Sequence, residues 1–594
     1  MRVMATTLAD TLSDTVPDTL PVPHIAIIGG GFSGAALAWH LTRREGEGDG
    51  ADAGGPPARR VTVFEPRPTL GAGVAYGTAD PHHRINVTAT RMSLDTDNPG
   101  DFMDWIVRTD AVAGDDAACR PDGTCFPARA VFGRYVAARI APLLASGQVT
   151  HHRASVVAAY RRDDNRWVIT TSDGAEMVAD IVVIATSHPP PRPPGPLRAL
   201  SLRPGAHPVL VANPWNAGAL DDIAPTDRVL VVGTGLSMAD AIATLEARGH
   251  RGPVVAISRR GQRSRSHATR EVDAFGAFTT PPARTARDVL RRVRATLRDN
   301  APQPWQAVVD RLREQAPDIW AALPLPERRR LIRHLRPFWD THRFRLAPPT
   351  EDIVRGRERA GLLTFMAARL THARVEDETF RVTLRHGNGH AREAAFDAII
   401  TTTGPAHGDI IAAQPFLAGL AARGMVEMDP TGLGLHVDAL GRACVGTHPE
   451  ATLFVAGPLA RGRFGELMGL PEVSRQVARL ATVLRALVAQ GAHRDSAARH
   501  GSDRHSADHT ITDRANTDRV DTDHADTDHA NTDHDSAPAR APQPEPASPE
   551  PAHPEAEHLE AAHRKPAHRD GLHEDISHGD IARPDIPQHE QVTS

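Results

Sequence analysis

The stretch "HIAIIGGGFSGAALAWHL" at residues 24–41 constrains the fold more than any other in the chain. An apolar run stops at a glycine turn and resumes with the spacing of a helix, the order of a buried parallel strand feeding a helix. Gly29, Gly31 and Gly34 satisfy G-x-G-x-x-G. The first glycine permits the tight turn, the second lets backbone approach phosphates, and the third seats the helix close to the strand. Amides at the helix start then face negative charge, so the motif predicts a dinucleotide pyrophosphate. Glu65 ends the next strand, "VTVFEP" at 61–66, where a carboxylate would accept hydrogen bonds from a ribose diol. It lies 31 residues after Gly34, and the insertion "EGEGDGADAGGPPARR" accounts for the excess over the expected spacing.

A second cradle follows in "RVLVVGTGLSMADAIATL", residues 228–245. Gly233 and Gly235 hold the first two glycine positions, but Met238 stands in the third and must be packed beneath the helix. Its second strand, "PVVAISRRG" at 253–261, ends in Ser258, Arg259 and Arg260 rather than an acid. Arginine forks there suit a 2′-phosphate and so NADPH; two solvated arginines in an Arg-rich chain are the other reading. Unlike cradles in one chain predict a flavin held in the first and a nicotinamide brought to it by the second, with a hydride passing between them.

Strand and helix patterns alternate through the body, which predicts an α/β fold of two Rossmann-like, doubly wound dinucleotide-binding domains. The expected order is a disordered leader at 1–23, the first part of an FAD-binding domain at 24–200, and an NADP-binding domain at 225–405. A helical, Arg-rich insertion at about 284–340 belongs to the NADP domain, which is itself inserted in the FAD domain completed by 406–488. "SHPPPRPPGP" after the strand "DIVVIAT" reads as a stiff connector. From 489 to 594 a Thr-Asp-His/Arg pentad and a Pro/Glu/Ala/His-rich segment match neither helix nor strand, so a disordered tail is expected. Metal binding by its His/Asp pairs is the alternative.

Composition excludes several classes. A formal net charge of −5 over 594 residues gives no basic surplus for nucleic acid. Lys565, in the tail, is the sole lysine, which rules out a Walker phosphate-loop lysine and a Schiff-base lysine. Three cysteines with no C-x-x-C imply a reducing, cytoplasmic setting, with Cys119 and Cys125 as bystanders in a polar loop. No apolar run approaches the roughly 18 residues of a membrane span. His82 and His83 are adjacent, a poor geometry for one ion, so no metal is expected.

The blocks "IAIIGGGFSGAALAWHL", "EPRPTLGAGVAYGTADPHHRINVTATRMS", "FWDTHRFRLAP" and "FVAGPLARGRFGELMGLPEV" resemble the bacterial FAD/NAD(P)-binding protein family, over about residues 24–485. The wider superfamily includes flavin-dependent N-hydroxylating monooxygenases and enzymes that oxidise the amine of aspartate to nitrosuccinate. The resemblance implies FAD in the first cradle and NADPH in the second. It also implies that Gly71, Gly73, Ala75 and Tyr76 form the loop passing the flavin, with Asn86 and Arg91 near its ring. "FVAGPL" resembles a strand that often ends in Gly-Asp at the ribityl chain; Gly457 keeps the close approach, while Pro458 replaces the Asp.

These readings together point to an FAD-dependent, NADPH-using oxidoreductase: a monooxygenase acting through a peroxyflavin on an amino or amino-acid-like small molecule, with dioxygen. A flavin reductase or oxidase without oxygenation remains open, as does a non-catalytic nucleotide-binding protein. No catalytic side chain stands out. In "HLRPFWDTHRFRLAPP" (334–349), Arg343 or Arg345 could hold a carboxylate beside Trp339, Asp340 and His342, or the block could be a packed helix end.

Overall fold

The structure, a computed structural model, describes residues 23–43, 59–200, 207–270, 272–299 and 303–508, with side chains to 490. Most of the expected leader and residues 509–594 of the expected tail lie outside these.

The apolar run "HIAII" becomes β1 (His24–Ile28), with Ile25, Ala26 and Ile27 fully buried as the centre of a parallel sheet requires. It pairs in parallel with β2 (Arg60–Phe64) and β7 (Ile181–Ile184), setting Ile27 against Val63 and Val183. β3 (Val149–His152) extends the sheet past β2, and β16 (His448–Val455) extends it past β7. β15 (Arg442–Val445) closes that edge antiparallel, giving the order β15-β16-β7-β1-β2-β3. Helices α1 (Phe32–Thr42) and α2 (Arg129–Ala145) cover this sheet. Leu37 and Leu41 of α1 share a core with Phe132 and with Val477 and Leu480 of a long C-terminal helix. That helix spans Leu470–Asp508, continuing past residue 489, where the sequence placed the start of the tail.

A second sheet runs β13-β12-β11-β10-β9-β14-β8. Its parallel strands are β8 (Val209–Val211), β14 (Ala398–Thr401), β9 (Val229–Val232) and β10 (Val254–Ser258). β11 (Leu363–Glu376) starts parallel to β10, bulges between Leu370 and His372, and pairs antiparallel with β12 (Thr379–His386). β13 (Ala391–Phe396) ends the ribbon. Helix α3 (Leu236–Ala247) lies on this sheet with Met238, only 1% exposed, packed among Val229, Val231 and Ala256. The third-glycine position is thus filled from beneath. A small antiparallel sheet of β4 (Val156–Arg161), β5 (Trp167–Thr171) and β6 (Glu176–Ala179) precedes β7.

Five short helices form the Arg-rich insertion: α4 (Ala286–Asp299), α5 (Trp305–Glu314), α6 (Ala316–Ala322), α7 (Leu325–His334) and α8 (Arg336–Arg343). They enclose their own core of Phe278, Val289, Val308, Ile319 and Leu323. Buried pairs from Arg313 and Arg343 to Glu472 tie them to the C-terminal helix. Among the described residues no helix is long and apolar enough to cross a membrane.

Candidate functional site

The turn after β1 and the start of α1 form one wall of a cavity of about 490 Å³. Its other walls come from Glu65 and Arg67 after β2, the segment Gly73–Tyr76, Thr186 to His188 after β7, and Pro458, Leu470 and Val473. Most of these sit beyond the carboxyl ends of parallel strands, where ligands enter open α/β sheets.

Glycine is required twice in this turn. Gly29 adopts φ +106°, and a Cβ there would lie 2.7 Å from the Ala185 carbonyl oxygen. A Cβ on Gly34 would overlap the Gly29 carbonyl, so the helix could not seat against the strand. Gly31 begins α1 without a side-chain cap, leaving first-turn amides for an anion. Gly73 faces Gly31, with room for backbone but little for a side chain.

Glu65 is buried and braces the turn as well as lining the cavity. Its Oε2 accepts from the Gly30 amide at 3.0 Å, and Oε1 accepts from the backbone and guanidinium of Arg67, both at 3.1 Å. An ionised carboxylate offers about four acceptor positions, so Oε2 keeps one for a hydroxyl. Tyr76 lines the cavity with its ring 4.6 Å from Phe132, and burial raises its phenol so that it stays neutral. Asn86 and Arg91 are not brought to the cavity wall. The Asn86 carbonyl is bound to His267 at 3.1 Å, and Arg91 is exposed at the end of a short 3-10 turn. A loop of 3-10 and bend geometry carries that segment away, a path the one-dimensional pattern does not encode. Gly457 packs on Ser33 with φ +76° and donates to Gln476 at 2.9 Å, while its neighbour Pro458 meets the cavity.

In the second cradle Gly233 takes φ +126° against the Thr402 carbonyl. Gly235 starts α3 uncapped, and a Cβ there would meet nothing within 4 Å. Backbone amides and open space are what a pyrophosphate needs. Beside it the Ser258 hydroxyl is buried without a partner. Arg259 and Arg260 are exposed; the Arg260 guanidinium sits 4.9 Å from the Phe338 ring centre, and Arg259 has no ion pair among the described residues.

The block 334–349 resolves into two uses. Arg345 is held by both oxygens of Asp310 at 2.8 and 3.1 Å, and Arg343 by Glu466 and Glu472 at 3.2 and 3.3 Å. Their charge is already compensated, so neither is free to hold a carboxylate. Trp339 donates to Glu466 at 3.0 Å. His83 is buried between Thr78 and Thr244, and among the described residues no three potential ligands could hold a metal. One expectation is corrected: Cys119 and Cys125 are joined as a disulfide rather than standing apart. The intervening "RPDG" folds into a turn with Gly123 at positive φ, bringing the two sulfurs together. Cys444 is free and buried.

Sequence reasoning passed over Thr186, Ser187 and His188, having read "SHPPPRPPGP" only as a connector. Their place directly after a buried parallel strand was the signal available.

Residues 26–189 match the family described as FAD-NAD(P)-binding, which bears out the resemblance over that span. No curated relative matches the chain. Among solved structures the chain is similar to an ornithine N-hydroxylase from Kutzneria sp. 744 with reduced FAD, NADP+ and L-ornithine: 17% identity, TM-score 0.54, 78% of this chain and 100% of that one. L-lysine 6-monooxygenase from Pseudomonas syringae gives 16% identity, TM-score 0.54, 79% and 100%. A cadaverine monooxygenase from Erwinia amylovora bound to FAD gives 13%, TM-score 0.50, 80% and 95%. At these identities the likeness is one of fold: two Rossmann-like sheets in one α/β chain.

Proposed function

We propose that this chain is an FAD-dependent, NADPH-using monooxygenase acting on an amino or amino-acid-like group. The observation that carries the reading is the pair of uncapped glycine cradles with opposite lettering: an acid after the first, Ser-Arg-Arg after the second. The first opens into a cavity whose 490 Å³ lies within the usual range for small-molecule sites. The similar enzymes that act on ornithine, lysine and cadaverine support an amine as substrate. On this reading residues 24–200 and 406–488 hold the flavin, and 225–405 the nicotinamide.

A bound flavin supplies two-electron transfer from a nicotinamide and reaction with dioxygen. The chain's own residues bind, orient and keep water out. The α1 amides hold a pyrophosphate, Glu65 Oε2 a ribose hydroxyl, and Gly73 lets backbone come close. Gly233 and Gly235 receive the second pyrophosphate, with Ser258, Arg259 and Arg260 on a 2′-phosphate. Leu470, Val473 and Pro458 present an apolar wall that limits water at the cavity.

The test begins with purified protein and its flavin absorbance. A colourless protein that refuses added FAD overturns the reading. With FAD bound, NADPH oxidation is followed alongside hydrogen peroxide and hydroxylated amine, using L-ornithine, L-lysine and cadaverine. Peroxide equal to NADPH consumed with every amine would make the protein a reductase or oxidase instead.

A further inference from the structure

Two chain crossings join the sheets, 185–191 leaving β7 and 402–409 leaving β14, and they meet at an antiparallel bridge between Pro191 and Pro405. Each carries one histidine. His188 and His407 pack edge to face with ring centres 4.6 Å apart. Helix α8 adds Arg336, whose Nη2 lies 3.3 Å from His407 Nε2. A guanidinium only donates, so His407 Nε2 accepts and its proton sits on Nδ1. That Nδ1 is buried with no acceptor, and both ring nitrogens of His188 are buried and unpartnered as well. Arg461, 5% exposed, donates only to the Gly465 carbonyl and has no ion pair among the described residues.

Buried donors and a buried guanidinium without a counter-charge are costly, and native structures pair them. The acidic groups nearby compensate the cluster only in part. Glu466 is taken by Arg343 and Trp339, Asp409 by Arg192 at 2.7 Å, and Asp340 faces Arg336 at 3.4 Å with its other oxygen unpartnered. Two guanidiniums and two imidazole N–H groups therefore converge where Asp340 supplies one carboxylate, a single negative charge against two positive ones. His188 is the member of this cluster that also lines the main cavity. A metal ion is excluded by the two arginines.

We propose that His188, His407, Arg336 and Arg461 form the carboxylate-binding end of the substrate site, and that binding there takes up a proton from solvent. The inference rests on the monooxygenase reading, since it assigns the ligand to that reaction's substrate. The field is positive before the ligand arrives: burial, then Arg461 and Arg336, holds His188 down to about 4. Burial, then His188, Arg336 and Arg461, holds His407 down to about 3. A carboxylate beside them offsets that field, an imidazole gains its second proton more readily, and affinity rises as pH falls from 8 towards 5.

The experiment uses the full chain loaded with FAD. Acetate, L-lysine, cadaverine and inorganic phosphate are titrated by calorimetry in two buffers of different ionisation heat. Acetate and L-lysine are expected to bind with net proton uptake and cadaverine at least tenfold more weakly than L-lysine. Arg336→Gln should weaken the carboxylates tenfold or more, and His188→Gln with His407→Gln should abolish the proton uptake. Arg461→Gln is the harsher variant; if its flavin content falls, Arg336→Gln and the histidine pair still decide. Equal binding of L-lysine and cadaverine, or no carboxylate binding, overturns the proposal. Phosphate and NADP+ binding lost in Arg336→Gln with carboxylates unaffected also overturns it, by assigning the anion to the nucleotide. A yellow protein that fails these titrations sinks this inference alone, whereas one that rejects FAD sinks the parent reading.

Discussion

Gly34 shows how a single hydrogen can decide a cofactor site. Its missing side chain lets α1 rest on the Gly29 carbonyl, so Gly34→Ala must lift the helix from β1. Overpacking of this kind costs about 1–3 kcal/mol, and the helix-start amides move with the helix. Urea unfolding should show the loss of stability, and the purified variant should carry less flavin than the parent. At the second cradle, Arg259→Ala with Arg260→Ala should weaken NADPH at least tenfold while leaving NADH within about twofold, read from KM or fluorescence titration. Equal losses for both would remove the 2′-phosphate from these arginines. The glycines were legible because each answers a local demand on φ or contact. Asn86 and Arg91 were not, because their loop turns on bends that no period encodes. Glu65 stands between: its place at a strand end was readable, but its bond to Gly30 was not.

At the scale of elements, what holds α2 to α3 lies outside any motif. Arg129, at the start of α2, pairs with Asp240 of α3 at 2.8 Å, and both are buried. The Arg129 guanidinium also lies 4.7 Å from the Trp215 ring centre, and Thr244 of α3 binds Asp80 and His83. Burial works to raise the Asp240 carboxyl and Arg129 works against it. Removing one partner strands the other, so Arg129→Met should cost about 3–5 kcal/mol in urea unfolding. Arg129→Met with Asp240→Leu should recover much of that, because both charges leave together. Strands β1, β2, β7, β9, β10 and β16 could be read from apolar runs, as could the strand–turn–helix succession of each cradle. The pairing of Arg129 with a residue 111 positions away could not, since sequence distance says nothing of which helix ends meet. The same holds for Arg343 and Arg345: their charge and spacing suggested a ligand, and only the tertiary fold reveals Glu466, Glu472 and Asp310 as their partners.

For the whole molecule, the buried histidines set how it meets acid. His40, His188 and His267 are each held at about 4, chiefly by burial, and His407 at about 3. In the unfolded chain the same rings titrate near 6.5. Between those values the unfolded state binds protons that the folded state refuses, so acid favours unfolding. Their contribution to stability is whole above pH 6.5 and is lost progressively as pH falls towards 4. The urea midpoint should therefore be level from pH 8 to 6.5 and decline below it, before most carboxylates titrate. Replacing His40 and His267 by Gln should shallow that decline in the protein with or without ligand. Replacing His188 and His407 should shallow it only in the ligand-free protein. Saturating acetate should do the same to the parent, because an anion between Arg336 and Arg461 lets those two rings accept protons while folded. A decline unmoved by acetate, in a protein whose flavin is bound, would mean that the two crossing histidines are merely buried.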